Sequence, residues 1–312
     1  MLVACGELTD EAQQTFHHDD GGVDAASISA DGTLAIVSNL SNGISVWDLK
    51  TNTKRYGWNQ GEEGNLVVNI HIAFDNTYAV TSDQDAFVLW NLTNGEPEGF
   101  WRIDESNIRD IAVANQGQGI LVGRSNGKVM YFEPQTGRRL EFLGHSEKIN
   151  SIDLSPNGFY ALSGGNDYVA YLWDTRSGQV IHKFEHSSRV TKVALDDEGR
   201  FAFTADSKRD ARVWDLRTGQ SISYLHYFER QKIFSTAVFS KDGKYLLTGS
   251  PARRLNLWDV QTGNEIKSWR VTPRAGTRPQ TAVVYAVGFW DDNRVISESS
   301  SGLAEIWPIQ SN

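Results

Sequence analysis

His145, Ser163 and Asp167 come closest in this chain to catalytic machinery, placing an imidazole, a hydroxyl and a carboxylate within one short stretch. In that role the imidazole would take the serine proton while the acid held the ring in one tautomer. The same residue types return at corresponding places along the chain as packing residues, so no catalytic residue is expected from the set. The histidines are read as holding no zinc-binding pair; His-Glu-x-x-His is absent, and His17-His18 reads as a strand end, so no metal centre is expected. No phosphate loop and no Gly-x-Ser-x-Gly elbow occurs, and no cofactor is implied. Asp196-Asp197-Glu198-Gly199 and Asp291-Asp292 read as solvated turns, with weak calcium binding as the alternative.

The other chemistry is basic. Lys208, Arg209, Arg230, Lys232, Arg253, Arg254, Arg274 and Arg278 crowd one third of the chain. Arginine suits planar carboxylate or phosphate partners, because its fork binds them bidentately. Residues 1–200 carry 28 Asp and Glu against 15 Lys and Arg, whereas residues 201–312 carry 11 against 15. The net charge of −9 argues against bulk affinity for nucleic acid or anionic lipid. An acidic protein segment is therefore the partner expected for the basic residues.

The elements that position these residues are short strands. Ten Trp, frequent Gly and only 7 Pro in 312 residues suit many strands joined by tight turns. No window approaches the ~20 apolar residues of a membrane span. An aromatic, an acid and a turn recur: Trp47-Asp48, Trp90-Asn91, Phe132-Glu133, Trp173-Asp174, Trp214-Asp215, Trp258-Asp259 and Trp307-Pro308. Their spacings are 43, 42, 41, 41, 44 and 49 residues, steady enough to mark one structural unit per repeat.

On these residues the chain resembles the WD-repeat propellers, over about residues 12–308. The resemblance implies an all-β fold, a seven-bladed β-propeller of four-stranded blades in one domain, residues 12–312. It also implies a hydrogen-bonded chain through His, Ser/Thr, Asp and Trp in each well-formed blade, matched here by the structural residues His145, Ser163, Asp167 and Trp173. Blade 2 keeps Thr81, Asp85 and Trp90 but lacks the His. At the Asp position, blades 5, 6 and 7 have Lys208, Ala252 and Ser301, which frees these places for function. Only Ile309 to Asn312 follow Trp307-Pro308, so the segment around Gln13–His18 is expected to supply the last outer strand and close the ring. In such a ring the eight basic residues share the loop face of blades 5–7.

Residues 1–11 fall outside the repeats. Leu2-Val3-Ala4-Cys5 resembles the processing signature of bacterial lipoproteins, which implies lipidation of Cys5 and a tether over residues 1–11; Gly6 favours the outer membrane. Only four residues precede Cys5, too few for a secretory signal within this sequence. The expectation is thus a non-catalytic, monomeric protein-interaction scaffold, lipid-anchored in a bacterial envelope and periplasmic. It would touch membrane only through its anchor and would not bind nucleic acid. The alternatives are a cytoplasmic scaffold and a propeller enzyme or cofactor-binding protein using the axial channel.

Overall fold

The structure is a computed structural model and describes residues 11–60, 67–227, 233–276 and 278–310. Its strands form seven four-stranded antiparallel sheets, one per blade. Blade 4 is representative, running Ile149–Leu154, Tyr160–Gly165, Val169–Asp174 and Val180–Glu185 from the axis outward. The inner strands contact one another in sequence around the axis, and Ala25–Ile28 of blade 1 meets Val284–Asp291 of blade 7.

The recurring dipeptide has a local cause. The ladder between the third and fourth strands shifts by one residue at Trp47, Trp90, Trp173, Trp214 and Trp258. Such a bulge bends the strand and re-aims its side chain. The acid that follows then accepts the amides of the turn: Asp48 binds those of Lys50 and Thr51, and Asp259 that of Thr262. Asn91 does the same for Thr93, so its amide oxygen replaces the acid without loss of the turn. Hydrogen bonds from the turn backbone and side chain hold the Asp215 carboxyl below its ordinary value.

The hydrophobic core is divided among the blade seams. Leu162, Leu172 and Phe184 of blade 4 pack on Val190, Val193 and Trp214 of blade 5, and each other seam has its own apolar cluster. Closure follows the sequence expectation. Gln14–His17 pairs antiparallel with Leu303–Pro308 in the register Gln14↔Ile306 to His17↔Leu303, giving blade 7 its fourth strand. Gly302 adopts φ +81° there, and a Cβ would stand 1.8 Å from the Asp19 carbonyl oxygen, so only glycine fits this crossing.

Candidate functional site

The Ser/His/Asp set is assembled, but inside a blade. His145 Nε2 lies 2.9 Å from Ser163 Oγ, its Nδ1 lies 3.0 Å from both Asp167 oxygens, and the Trp173 indole donates to Ser163 at 3.3 Å. Ser163 is fully buried, so its hydroxyl cannot reach a substrate. The set fixes a strand junction. Blade 5 repeats it: His186 Nε2 and the Trp214 indole both meet Thr204 Oγ1, at 2.8 and 2.7 Å.

Here the structure corrects the blade-by-blade expectation. The acid of blade 5 is not lost at Lys208; Asp210, two residues later, faces His186 Nδ1 at 3.3 Å. In blade 2, Asp85 is exposed and pairs with Arg102, while Gln60 takes the histidine's part by accepting from Thr81 and donating to Asp83. His182 and His186 also stand four apart with Glu185 between them, a zinc-like spacing overlooked in the sequence. They lie on and just beyond a strand, where four residues span roughly 13 Å, rather than one helical turn. His182 instead meets the Leu216 carbonyl. His186, Asp206 and Asp210 do cluster within 4.8 Å. Their oxygens are engaged, Asp206 by the amides of Lys208 and Asp210, and Asp210 by the Arg212 guanidinium.

The basic residues divide into two kinds. Arg230 and Lys232 lie outside the described residues. Arg209 donates to the Tyr227 carbonyl, Arg253 twice to that of Val271 (3.0 and 2.8 Å), and Arg274 to that of Gly21. These three tie loops together. Lys208 and Arg278 are exposed and Arg254 is half-buried. An open cavity of about 610 Å³ lies between Lys208, Arg209, Arg212 and Tyr224. Arg212 stacks over Trp214 and Tyr224, with its carbon 5.2 and 4.9 Å from the two ring centres.

The axis carries polar groups that the sequence did not reveal. A cavity of about 200 Å³ is lined by His71, Asp110, Asp153, Lys192, Asp197 and Tyr285, among others. Three of these residues repeat one device. His71 Nδ1 accepts the amide of Val113 at 3.2 Å, Asp110 that of Ile152 at 2.9 Å, and Asp153 that of Leu195 at 2.7 Å. Each bond crosses from one inner strand to the next blade's, 42 residues on. Burial pushes His71 down to about 4, assisted by Lys192 and opposed by Asp110, so the ring is neutral and its Nδ1 is free to accept. Burial raises Asp153 to about 6 despite the amides of Leu195 and Leu154. Asp197 rises to about 7 through burial and the charges of Asp153, Asp196 and Glu198. The expected solvated turn is therefore wrong at its first two acids: Asp196 is buried and Asp197 half-buried at the mouth of the channel.

The family model described as "WD domain, G-beta repeat" matches residues 137–174, 178–215 and 223–259. These three segments match the WD-repeat pattern. Each supplies the outer strand of one blade and three strands of the next, so a WD repeat staples two blades, as the N-terminal strand does at the ring's closure. The chain is 30% identical over 152 residues to WD repeat-containing protein SL1-17 of Schistosoma mansoni, covering 47% of this chain and 48% of that protein. It is 27% identical over 157 residues to autophagy-related protein 16 of Arabidopsis thaliana, covering 50% and 30%. To polyadenylation factor subunit 2 of Cryptococcus neoformans it is 26% identical over 92 residues, covering 30% and 13%. The chain thus spans about half or less of the length of these curated relatives. Repeats and relatives together support a WD-repeat β-propeller.

What the WD pattern concealed has a simple cause. The matched repeats are those whose Trp, Asp and Gly are all in place. Asp210 was missed because its loop is built differently from that of blade 4, and Gln60 because an amide replaces an imidazole. The axial residues were missed because strand alternation places every second residue on one face, and an acid at such a position reads like any other. Their one available signal was the 42-residue offset between acceptor and recipient amide.

Proposed function

We propose that the chain is a non-catalytic scaffold that holds another protein by an acidic segment on the loop face of blade 5, extending toward blades 6 and 7. The observation that carries this reading is the open cavity lined by Lys208, Arg209, Arg212 and Tyr224, with Asp210 also on its wall but already paired with Arg212. Lys208 projects a cation there, and the Tyr224 ring offers apolar surface beside it. Arg254 and Arg278 would extend the contact. Arg253 and Arg274, expected to bind the partner as well, instead secure backbone carbonyls and position the loops.

The eukaryotic relatives support the cytoplasmic alternative over an outer-membrane lipoprotein. Cys5, the expected lipidation site, and residues 1–10 of the tether expected over residues 1–11 lie outside the described residues. Among the described residues no helix is long and apolar enough to cross a membrane. The chain is read as a monomer that does not bind nucleic acid.

The test is equilibrium binding of a capped glutamate-rich peptide carrying one tyrosine, against the same peptide with glutamine for glutamate. The glutamate peptide should bind at least tenfold tighter, and Lys208→Glu with Arg278→Glu should remove the preference. Equal binding of the two peptides would refute this site.

A further inference from the structure

A second surface lies on the opposite face of the ring. The turns Asn115–Gln118 of blade 3, Ser155–Tyr160 of blade 4 and Asp196–Gly199 of blade 5 enclose a groove of about 650 Å³. Phe159, Tyr160, Ile181 and Leu216 form its apolar walls, and Asp197 and Glu198 stand at one end. Phe159, Tyr160 and Ile181 are 43%, 39% and 41% exposed and line this one groove together, so their apolar surface is contiguous rather than scattered. Pro156, Leu195 and Asp197 line both this groove and the axial cavity, so the acidic end opens toward the channel mouth.

We propose that this groove docks a protein segment bearing a lysine or arginine beside apolar residues, with the cation at Asp197 and the apolar side chains against Phe159, Ile181 and Leu216. Charge complementarity selects this occupant. Asp197 is surrounded by Asp153, Asp196 and Glu198, with Arg200 as the nearby cation. That cation is already committed, since Arg200 grips Asp196 at 2.8 and 2.7 Å and reaches the Lys241 carbonyl. Arg217, on the groove's rim, acts on Asp215. Deeper in the channel, Lys192 lies near Asp153 and Asp110 near His71. The end of the groove therefore holds excess negative charge in a partly desolvated place, where an incoming cation gains most and an anion is repelled. The walls add apolar area that a charged segment alone would not use. The raised pKa of Asp197 agrees with this field: a bound cation would favour its ionised form, so affinity should rise between pH 6 and pH 8.

The surface is distinct from the basic face, and the two readings can fail separately. The test uses the whole chain and two capped, fluorescein-labelled peptides of equal length, one alternating leucine and arginine, the other leucine and glutamate. At pH 8 the arginine peptide should bind at least tenfold tighter. Asp197→Asn and Phe159→Ser should each weaken it at least tenfold, and Asp85→Asn, a remote acid, should leave it unchanged. Asp197→Asn removes a charge repelled by its neighbours, so the variant should melt no lower than the parent, which separates lost binding from lost folding. Equal affinity for the two peptides, or an equal loss with Asp85→Asn, would overturn the proposal and leave only general attraction to an acidic protein.

Discussion

His18 Nδ1 lies 2.9 Å from a Glu298 carboxylate oxygen, across 280 residues of sequence, and both side chains are fully buried. The contact stands where the N-terminal strand hands over to blade 1, against the second strand of blade 7. It does in blade 1 what Asp167 does for His145, except that the acid comes from the neighbouring blade. His18→Ala would leave a carboxylate buried without its partner, a loss of ~3–5 kcal/mol. Urea denaturation of the variant should show it. A change under ~0.5 kcal/mol would mean that the pair does not hold the ring shut.

The same seam contains an unfinished network. The Trp47 indole nitrogen and His18 Nε2 are both buried without a partner among the described residues, and the two rings stack at 4.6 Å. Val37 stands ten residues before Trp47, where Thr204 stands before Trp214 and joins indole to imidazole. Val37→Thr should supply the missing hydroxyl, and the gain should be ~1 kcal/mol by denaturation. A loss of stability would show that this seam is too tightly closed to form the two bonds.

Blade 5 separates sequence position from spatial role. Asp210→Ala should cost ~1–3 kcal/mol, as Asp167→Ala should in blade 4, because each removes the carboxylate that faces a buried histidine ring. Lys208→Ala, at the sequence position that aligns with Asp167, should change stability by less than ~0.5 kcal/mol. Melting curves of the three variants decide the matter, and a cost at Lys208 equal to that at Asp210 would contradict the assignment.

Asp197 gives a pH dependence of definite sign. Its folded pKa of about 7 lies above the ordinary 3.8, so the folded chain holds this proton longer than the unfolded chain. Its contribution is most favourable below pH ~4 and is lost as pH rises through 7. Asp197→Asn should match the parent near pH 4 and exceed it by ~1–3 kcal/mol at pH 8. An equal difference at both pH values would show that the carboxylate is not ionising in a repulsive field.

The ring was legible because its signal is repeated. Trp, acid and turn recur at spacings of 41 to 49 residues, and each copy confirms the others. Closure was legible too, since the last repeat ends where a fourth strand is still needed. The sites were less so. The roles of Arg253 and Arg274 depend on which carbonyl lies within reach, and loop sequences do not disclose that. The His18–Glu298 pair joins residues at opposite ends of the chain, and no local pattern connects them. The axial acids are separated by single repeat lengths, but their meaning appears only when seven inner strands face one channel.

The central claim, that another protein rests on the loop face of blade 5, is tested most directly by site-specific photo-crosslinking. A benzophenone side chain is placed at position 208, with a control at Thr262, an exposed turn residue of blade 6. Position 208 should yield protein adducts whose crosslinked segments are rich in Asp and Glu, and these should fade as salt rises, because exposed charges are screened beyond ~8 Å at physiological ionic strength. Adducts from position 208 that match those from Thr262 in identity and yield, unchanged by salt, would contradict the account.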